Sequence, residues 1–450
     1  MSERHVAIVG GGLAGISAAL DCASDGARVT LLESRRRLGG AAYSFTRNGI
    51  LADNGQHVFL RCCTAYRELL ERLGALDLVT LQSRLDIPVL APGESAARLR
   101  RRSLPAPLHL ADSLARYRFL GPGERLAAAR AMLALRAVDP DDPAADARSF
   151  GDWLRERGQD GAAVETLWEL IGRPTLNLDP AEASLAQAAQ VFRVGLLEHR
   201  AAGDVGYARV PLSEIHDRAA RRSLEGAGVE VRLGRGATAI VPTGDGFRIE
   251  AAGAPVLCAD AVVIAVPHER AARLLPREAG VDRERLLLLG SSPIVNLHVV
   301  YDRRVLDVPF AAAVRTPVQW LFDRSAGAGL EAGQYLAVSL SAAREELPMT
   351  VEELRSRYLT ALADLLPAAR GARVEEFFVT RDHAATFRAA PGARALRPGA
   401  RTDLPGLALA GSWTDTGWPA TMESAVRSGR AAARVALGAA TTRERMAVAA

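Results

Sequence analysis

The sequence predicts an α/β fold that opens with a Rossmann-type βαβ unit, and three stretches carry that prediction. His5-Val6-Ala7-Ile8-Val9 is a continuous apolar run, the pattern of a strand covered on both faces of a parallel sheet. Gly10-Gly11-Gly12-Leu13-Ala14-Gly15 follows directly, fits G-x-G-x-x-G, and leads into the helical stretch Ile16 to Leu20. Arg28 to Glu33 is a second strand, ending on an acid about 20 residues beyond the glycines.

Each part has a physical task in holding a dinucleotide. Gly10 permits the tight turn, Gly12 lets the backbone approach a pyrophosphate, and Gly15 allows helix and strand to pack closely. The N–H groups of Leu13 and Ala14 stand at a helix N-terminus, where they lack intrahelical partners and suit phosphate oxygens. Glu33 is placed to accept hydrogen bonds from a ribose hydroxyl pair. A glycine-rich packing turn beside an exposed glutamate is the plainer alternative. The coincidence of strand, glycines, helix and acid favours the binding site.

Bulk properties narrow the class further. The 450 residues are 49% hydrophobic and 24% charged, as in an ordinary globular chain able to form two or three units. A net charge of +4 gives no reason to expect a nucleic-acid partner. Cys22, Cys62, Cys63 and Cys258 contain no C-x-x-C pair, so neither a metal site nor a disulfide framework is expected, and reduced thiols fit a cytoplasmic location. No apolar stretch reaches the roughly 18 residues of a spanning helix. The apolar N-terminal run also lacks the cleavage site of a secretory signal.

Beyond the ribose acid, Glu33 opens a Glu-x-Arg-x-Arg-x-Gly-Gly pattern that runs to Gly40. This resembles the second signature of the amine oxidase and phytoene desaturase superfamily of FAD enzymes. The resemblance implies that Ser34, Arg35, Gly39, Gly40 and Ala41 approach the FAD diphosphate, with Arg36 solvated. Asp53-Asn54-Gly55-Gln56-His57 falls where the superfamily has a turn leading toward the isoalloxazine, which implies flavin contacts from Gly55, Gln56 and His57. Leu224 to Ile240 resembles the segment whose backbone meets the adenine, with Ala237 as a contact. Ala410 to Asp415 and Met422 to Gly429 resemble the C-terminal FAD signature. There, Gly411 and a helix N-terminus at Thr421 and Met422 are implied at the flavin N1–C2 edge, where the helix dipole favours the reduced anion.

The implied fold is a GR2-like two-domain flavoprotein: a discontinuous Rossmann-type FAD domain with an α+β substrate domain. The expected FAD domain covers 1–85, 204–290 and 401–440, and the substrate domain covers a helical insert at 86–203 and a sheet within 291–400. Ile294 to Tyr301 and Tyr335 to Leu340 read as antiparallel strands of that sheet. Residues 441–450 read as a loose tail.

Within the superfamily, Asp53 to His57, Trp413 to Gly417 and Pro419 to Gly429 closely resemble the squalene-associated hydroxysqualene dehydroxylase family of bacterial hopanoid biosynthesis. Trp418 departs from it, standing where a smaller aliphatic residue is expected. The resemblance implies acid-assisted loss of water from a polyprenoid alcohol and hydride transfer from reduced FAD. Candidate acids are His57, Asp53 and Asp415; a turn-capping role competes for Asp53, and a flavin contact competes for His57. Rival readings are a carotenoid or phytoene-type desaturase, a flavin amine oxidase, and a non-catalytic prenyl-lipid carrier. With Cys258 the last cysteine, covalent flavin attachment near the C-terminus is disfavoured, and 5% aromatic content disfavours an amine cage. Intact flavin motifs disfavour the carrier. Arg98 to Arg102 and Leu104 to Leu120 interleave basic and apolar residues. That pattern suits peripheral contact with the inner face of the cytoplasmic membrane, and equally a solvated face covering a substrate tunnel. Oligomeric state is left open.

Overall fold

The two N-terminal apolar runs become neighbouring strands in the computed structural model, which describes residues 4–448. β1 (His5–Val9) lies between β2 (Arg28–Glu33) and the strand Ala261–Ile264, and α1 (Leu13–Ser24) joins β1 to β2. The complete sheet is parallel, in the order Glu230–Leu233, β2, β1, Ala261–Ile264, Leu407–Leu409. Val6 pairs with Val29 on one side and Ala261 on the other. Every residue of β1 is buried, which is why the run shows no polar alternation. Strands from three separated stretches of chain thus make one sheet, as a discontinuous Rossmann-type domain requires.

The second large sheet has seven strands, in the order Val374–Phe387, Ser291–Tyr301, Gln334–Ser341, Trp320–Asp323, Phe310–Ala313, Asp86–Leu90, Ala97–Arg100. All pairs are antiparallel except Phe310–Ala313 with Asp86–Leu90. Its second strand, Ser291–Tyr301, shows why one sheet can serve two purposes. Val295, Leu297 and Val299 bury one face in the cluster that includes Leu354, Tyr358 and Leu362 of the helix Val351–Leu365. The alternating residues Asn296 and His298 point to the opposite face, toward the Asn54 turn and Thr380.

Two expectations need correction. The segment 86–203 is not helical throughout, because its first part is the hairpin Asp86–Leu90 and Ala97–Arg100 at the edge of the seven-stranded sheet. The basic stretch at Arg98 starts on that hairpin, where Ala97 and Leu99 are buried and the intervening Arg98 faces out, a period of two. Arg98 and Arg100 pair with Asp86, Arg101 with Asp204, and Arg102 with Asp112. Between Leu104 and Leu120 there is a 3-10 turn at Leu108–Leu110 and one short helix, Ala111–Ala115, not a long amphipathic helix. Farther on, helices Phe150–Arg155 and Leu185–Phe192 gather around Phe150, Trp153, Trp168 and Phe192. The second correction concerns the C-terminus. The last helix runs Met422–Val448 through most of the expected loose tail, since the sequence after Gly438 holds neither glycine nor proline to stop it; residues 449–450 lie outside the described residues.

Candidate functional site

The turn after β1 demands glycine twice. At Gly10, φ is +112° and a Cβ would stand 2.2 Å from the Ala265 carbonyl oxygen. At Gly15 a Cβ would stand 1.9 Å from the Gly10 carbonyl oxygen, so helix and turn meet backbone to backbone. Gly12 is the N-cap of α1 and offers no side chain to the first N–H groups, which leaves those of Leu13 and Ala14 for an outside acceptor. The second glycine loop lies against the first. Gly39 N–H donates to the Gly11 carbonyl at 2.9 Å, and a Cβ on Gly40 would come within 2.8 Å of the Gly12 Cα.

Glu33 closes this end. Its Oε2 accepts from Gly11 N–H at 2.6 Å, and Oε1 accepts from Arg35 N–H at 2.7 Å and the Ser34 hydroxyl at 3.0 Å. An ionised carboxylate has roughly four acceptor sites, so capacity remains for a ribose hydroxyl. The Arg35 side chain and Ala41 are exposed; Arg35 contributes through its backbone N–H. The inward arginine is Arg37, which the sequence reading passes over. Its guanidinium lies 3.5 Å from the Tyr43 ring centre and donates to the Leu38 and Gly40 carbonyls, while burial pulls its pKa down. Ala237 is buried beside this loop: its carbonyl accepts from Arg270 at 2.8 Å, and a Cβ on neighbouring Gly236 would stand 2.9 Å from the Ser34 Cβ.

The turn 53–57 is built differently. Asp53 is buried and accepts from the Ser44 hydroxyl at 2.6 Å, Leu212 N–H at 2.9 Å and Arg324 at 2.8 Å. These bonds make it an anchor between segments, and it lines the same cleft as His57. The Asn54 carbonyl accepts from Asn296 Nδ2 and the Thr380 hydroxyl, each at 3.0 Å, and Gly55 leaves room for Asn296. Gln56 Nε2 and Asn296 Oδ1 are buried without a partner. His57 Nδ1 lies 3.1 Å from the Gly55 carbonyl, an arrangement that puts the proton on Nδ1 and leaves Nε2 open. Burial lowers the His57 pKa, opposed by the Gly55 carbonyl and by Asp53. The ring borders a cleft shared with Gln56, Tyr207, Leu212, Phe322 and Arg324.

At the other end of the chain, Gly411 takes φ +142°, a Cβ there would stand 2.3 Å from Trp413 Nε1, and its N–H donates to the Ser428 hydroxyl at 2.8 Å. Thr421 caps the last helix, its hydroxyl accepting from Ser424 N–H at 3.2 Å, and Met422 is the first helical residue. This helix crosses the first turn of α1: a Cβ on Gly429 would stand 2.2 Å from the Ala14 carbonyl oxygen. Trp418 is half-buried under the Arg427 guanidinium. Asp415 is exposed, caps Gly417 N–H at 3.1 Å and lies 3.5 Å from Arg394; it does not border the His57 cleft, which corrects the third acid candidate. Sequence reasoning also missed Glu423. It is buried, accepts from the N–H groups of Ala65 and Tyr66 at the start of α2 (Thr64–Arg72), and pairs with Arg427 at 2.7 Å. No local signal marks it, or Arg324 and Asn296, because their partners lie 271 and 242 residues away for the latter two.

An extended dinucleotide suits these residues: side-chain-free turns at Gly10, Gly12 and Gly40, an uncapped helix N-terminus, a carboxylate with spare capacity, and unpartnered buried polar atoms near the 53–57 turn. The comparisons agree. The family model for flavin containing amine oxidoreductase matches residues 13–437. Over 444 residues the chain is 29% identical to hydroxysqualene dehydroxylase of Rhodopseudomonas palustris, covering 97% of this chain and 99% of the relative. It is 25% identical over 471 residues to zeta-carotene desaturase of Arabidopsis thaliana, covering 96% and 84%. Cyclohexylamine oxidase from Brevibacterium oxydans shares the fold, with a TM-score of 0.70 at 20% identity over 98% of this chain and 100% of that one. The family match runs from the first residue of α1 into the last helix, and the chain belongs to the flavin containing amine oxidoreductase family as an FAD-dependent oxidoreductase.

Proposed function

We propose that the chain reductively removes the hydroxyl of hydroxysqualene to give squalene, a polyprenoid step that feeds hopanoid synthesis. The observation that carries this reading is the nearly full-length similarity to the Rhodopseudomonas dehydroxylase. FAD, when bound and reduced, supplies the hydride that takes the place of the hydroxyl. The residues that would hold it are Gly10, Gly12, Leu13, Ala14, Gly15, Gly39 and Gly40 at the diphosphate, Glu33 at the ribose, the Ala237 segment at the adenine, and Gly55, Gln56, Gly411, Thr421 and Met422 toward the ring.

The hydroxyl leaves as water, so a proton must reach its oxygen. His57 is the titratable group beside the cleft best placed to bring it, with Nε2 as the atom that takes up and delivers the proton while Nδ1–H stays on the Gly55 carbonyl. Burial makes the protonated ring a stronger acid but a scarcer one near neutrality. Asp53, held by Arg324, favours the charged ring through space. Tyr207, Leu212 and Phe322 provide an apolar wall that keeps bulk water from an allylic cation. Leu104, Leu108, Leu126 and Leu133 are about half exposed, which supports peripheral contact of the stretch 104–133 with the inner leaflet and entry of the polyprenoid from lipid. Among the described residues no helix is long and apolar enough to cross a membrane.

The test is an anaerobic incubation of the FAD-loaded protein, reduced beforehand, with hydroxysqualene. Squalene formed in step with flavin oxidation supports the reading, and unchanged alcohol overturns it. The similarity to a zeta-carotene desaturase keeps one other reading in view. Oxidised protein given an acyclic carotene and a quinone acceptor would then produce a more desaturated carotene.

A further inference from the structure

We propose that Arg397 is a positioning residue of the flavin site: its guanidinium gathers the loop that precedes the last helix, and its unneutralised positive charge favours an anion at that loop. The inference rests on FAD as cofactor and is independent of which polyprenoid is the substrate.

Arg397 is 5% exposed. Its Nε donates to the Trp413 carbonyl at 3.3 Å, and Nη2 donates to the carbonyls of Ser412 at 3.3 Å, Thr414 at 2.6 Å and Trp418 at 2.8 Å. Ser412, Trp413 and Thr414 belong to the C-terminal flavin signature and Trp418 to the turn that follows, so the contacts close the loop 412–418 into a ring around one side chain. The Phe387 ring centre lies 4.7 Å from the guanidinium carbon. Nη1 is buried and has no partner.

A buried guanidinium is ordinarily matched by a carboxylate, because burying an unpaired charge is costly. Here none is within hydrogen-bonding reach. Asp146 is engaged by the Ser184 hydroxyl and Arg394 N–H, and Asp415 by Gly417 N–H and Arg394. These two acids reach Arg397 only through space, and burial outweighs them, bringing its pKa down to about 10, so the group stays charged near neutrality. Backbone carbonyls orient such a charge without cancelling it. The same loop ends at Thr421 and Met422, where the helix N-terminus adds further positive potential. Two sources of positive potential on one short loop, one with a spare N–H donor, suit a ligand edge whose negative charge grows on reduction. A flavin N1–C2 edge has that property.

The experiment uses the full-length protein and three readouts: FAD affinity, the midpoint potential of bound FAD at saturating cofactor, and melting of the FAD-free protein. Arg397→Met keeps the length of the side chain and removes its charge and donors; Arg397→Lys keeps the charge and loses the fork. Both variants are expected to bind oxidised FAD at least about tenfold more weakly, as the loop loses charge-assisted hydrogen bonds. Arg397→Met is also expected to bind reduced FAD less preferentially, seen as a lower midpoint potential, whereas Arg397→Lys stays close to the parent potential. A potential unchanged in Arg397→Met overturns the proposal, whatever happens to affinity. So does failure of both variants to fold with or without FAD, since Arg397 would then belong to the protein core alone. Neither result depends on turnover of hydroxysqualene, so failure of the dehydroxylation reading is visible separately.

Discussion

The phosphate end and the ring end proposed for the nucleotide site are built by opposite means. At the phosphate end the construction consists of missing side chains: Gly10, Gly12, Gly15 and Gly40 let backbone meet backbone, and Glu33 ties the two loops together through N–H groups. At the ring end the turn 53–57 is held by side chains that arrive from distant parts of the chain, Arg324 on Asp53, and Asn296 with Thr380 on the Asn54 carbonyl. The difference shows how one family can keep its cofactor while changing its chemistry. On the proposed assignment the diphosphate needs only a backbone shape, whereas the reacting edge is shaped by the seven-stranded sheet, so substitutions there can retune the reaction without disturbing the nucleotide grip.

Four perturbations would break or sharpen this contrast. The largest effect is expected at the ring end. Asp53→Ala leaves Arg324 buried without its counter-ion, which costs about 3–5 kcal/mol in denaturant unfolding of the FAD-free protein. A cost below about 1 kcal/mol would mean that the turn is not anchored there. At the phosphate end the expected effects fall on the cofactor more than on the fold. Glu33→Gln replaces a charged acceptor of three hydrogen bonds and is expected to weaken FAD binding by about 1.5–3 kcal/mol in calorimetric titration. Gly40→Ala sets a Cβ 2.8 Å from the Gly12 Cα at φ +58°, a strain of about 1–3 kcal/mol that should appear as weaker FAD affinity with the ring-end contacts intact. Unchanged affinity in Glu33→Gln would place the ribose elsewhere, and unchanged affinity in Gly40→Ala would do the same for the diphosphate.

The smallest effect is a pH dependence. His298 is buried at the ring end, bonded to the Tyr335 hydroxyl and to Thr380 and stacked 4.4 Å from Phe378; burial lowers its pKa from 6.5 to about 3. His216, bonded to the Tyr66 hydroxyl beside the second glycine loop, is lowered to about 3 for the same reason. In this range the unfolded chain binds more protons than the folded one. Stability is therefore full above pH 6.5 and is lost as pH falls from there toward 3. Each histidine should cost about 1 kcal/mol between pH 7.5 and 5.5. His298→Gln should flatten part of that slope, and an identical slope in the variant would show that the ring is not buried neutral.

What could be read in the sequence follows the same division. The glycine turns, Glu33 and the start of the last helix are local patterns, each with a backbone reason for its spacing, and the chain forms the strand-to-helix turn and the helix start at those positions. The ring end was only half legible. The Asp53 turn stood out as a motif, yet its role depends on Arg324, and an arginine among 56 basic residues carries no mark of burial. Arg37 and Arg397 were hidden for that reason. Asp415 drew notice by sitting inside a signature, where its task is to cap a turn. The hairpin at Arg98 was misread because its alternating arginines resembled a solvated helix face, although their period of two already fitted a strand.

The central claim is that both ends of the chain grip a single FAD. Hydrogen–deuterium exchange of the full-length protein, with and without saturating FAD, tests it most directly. The account predicts that FAD slows exchange together at residues 10–15, at 38–41, at 53–57 and at 411–422, with the same concentration dependence at each. Protection confined to the first two segments, or none at all in a colourless protein, would contradict it.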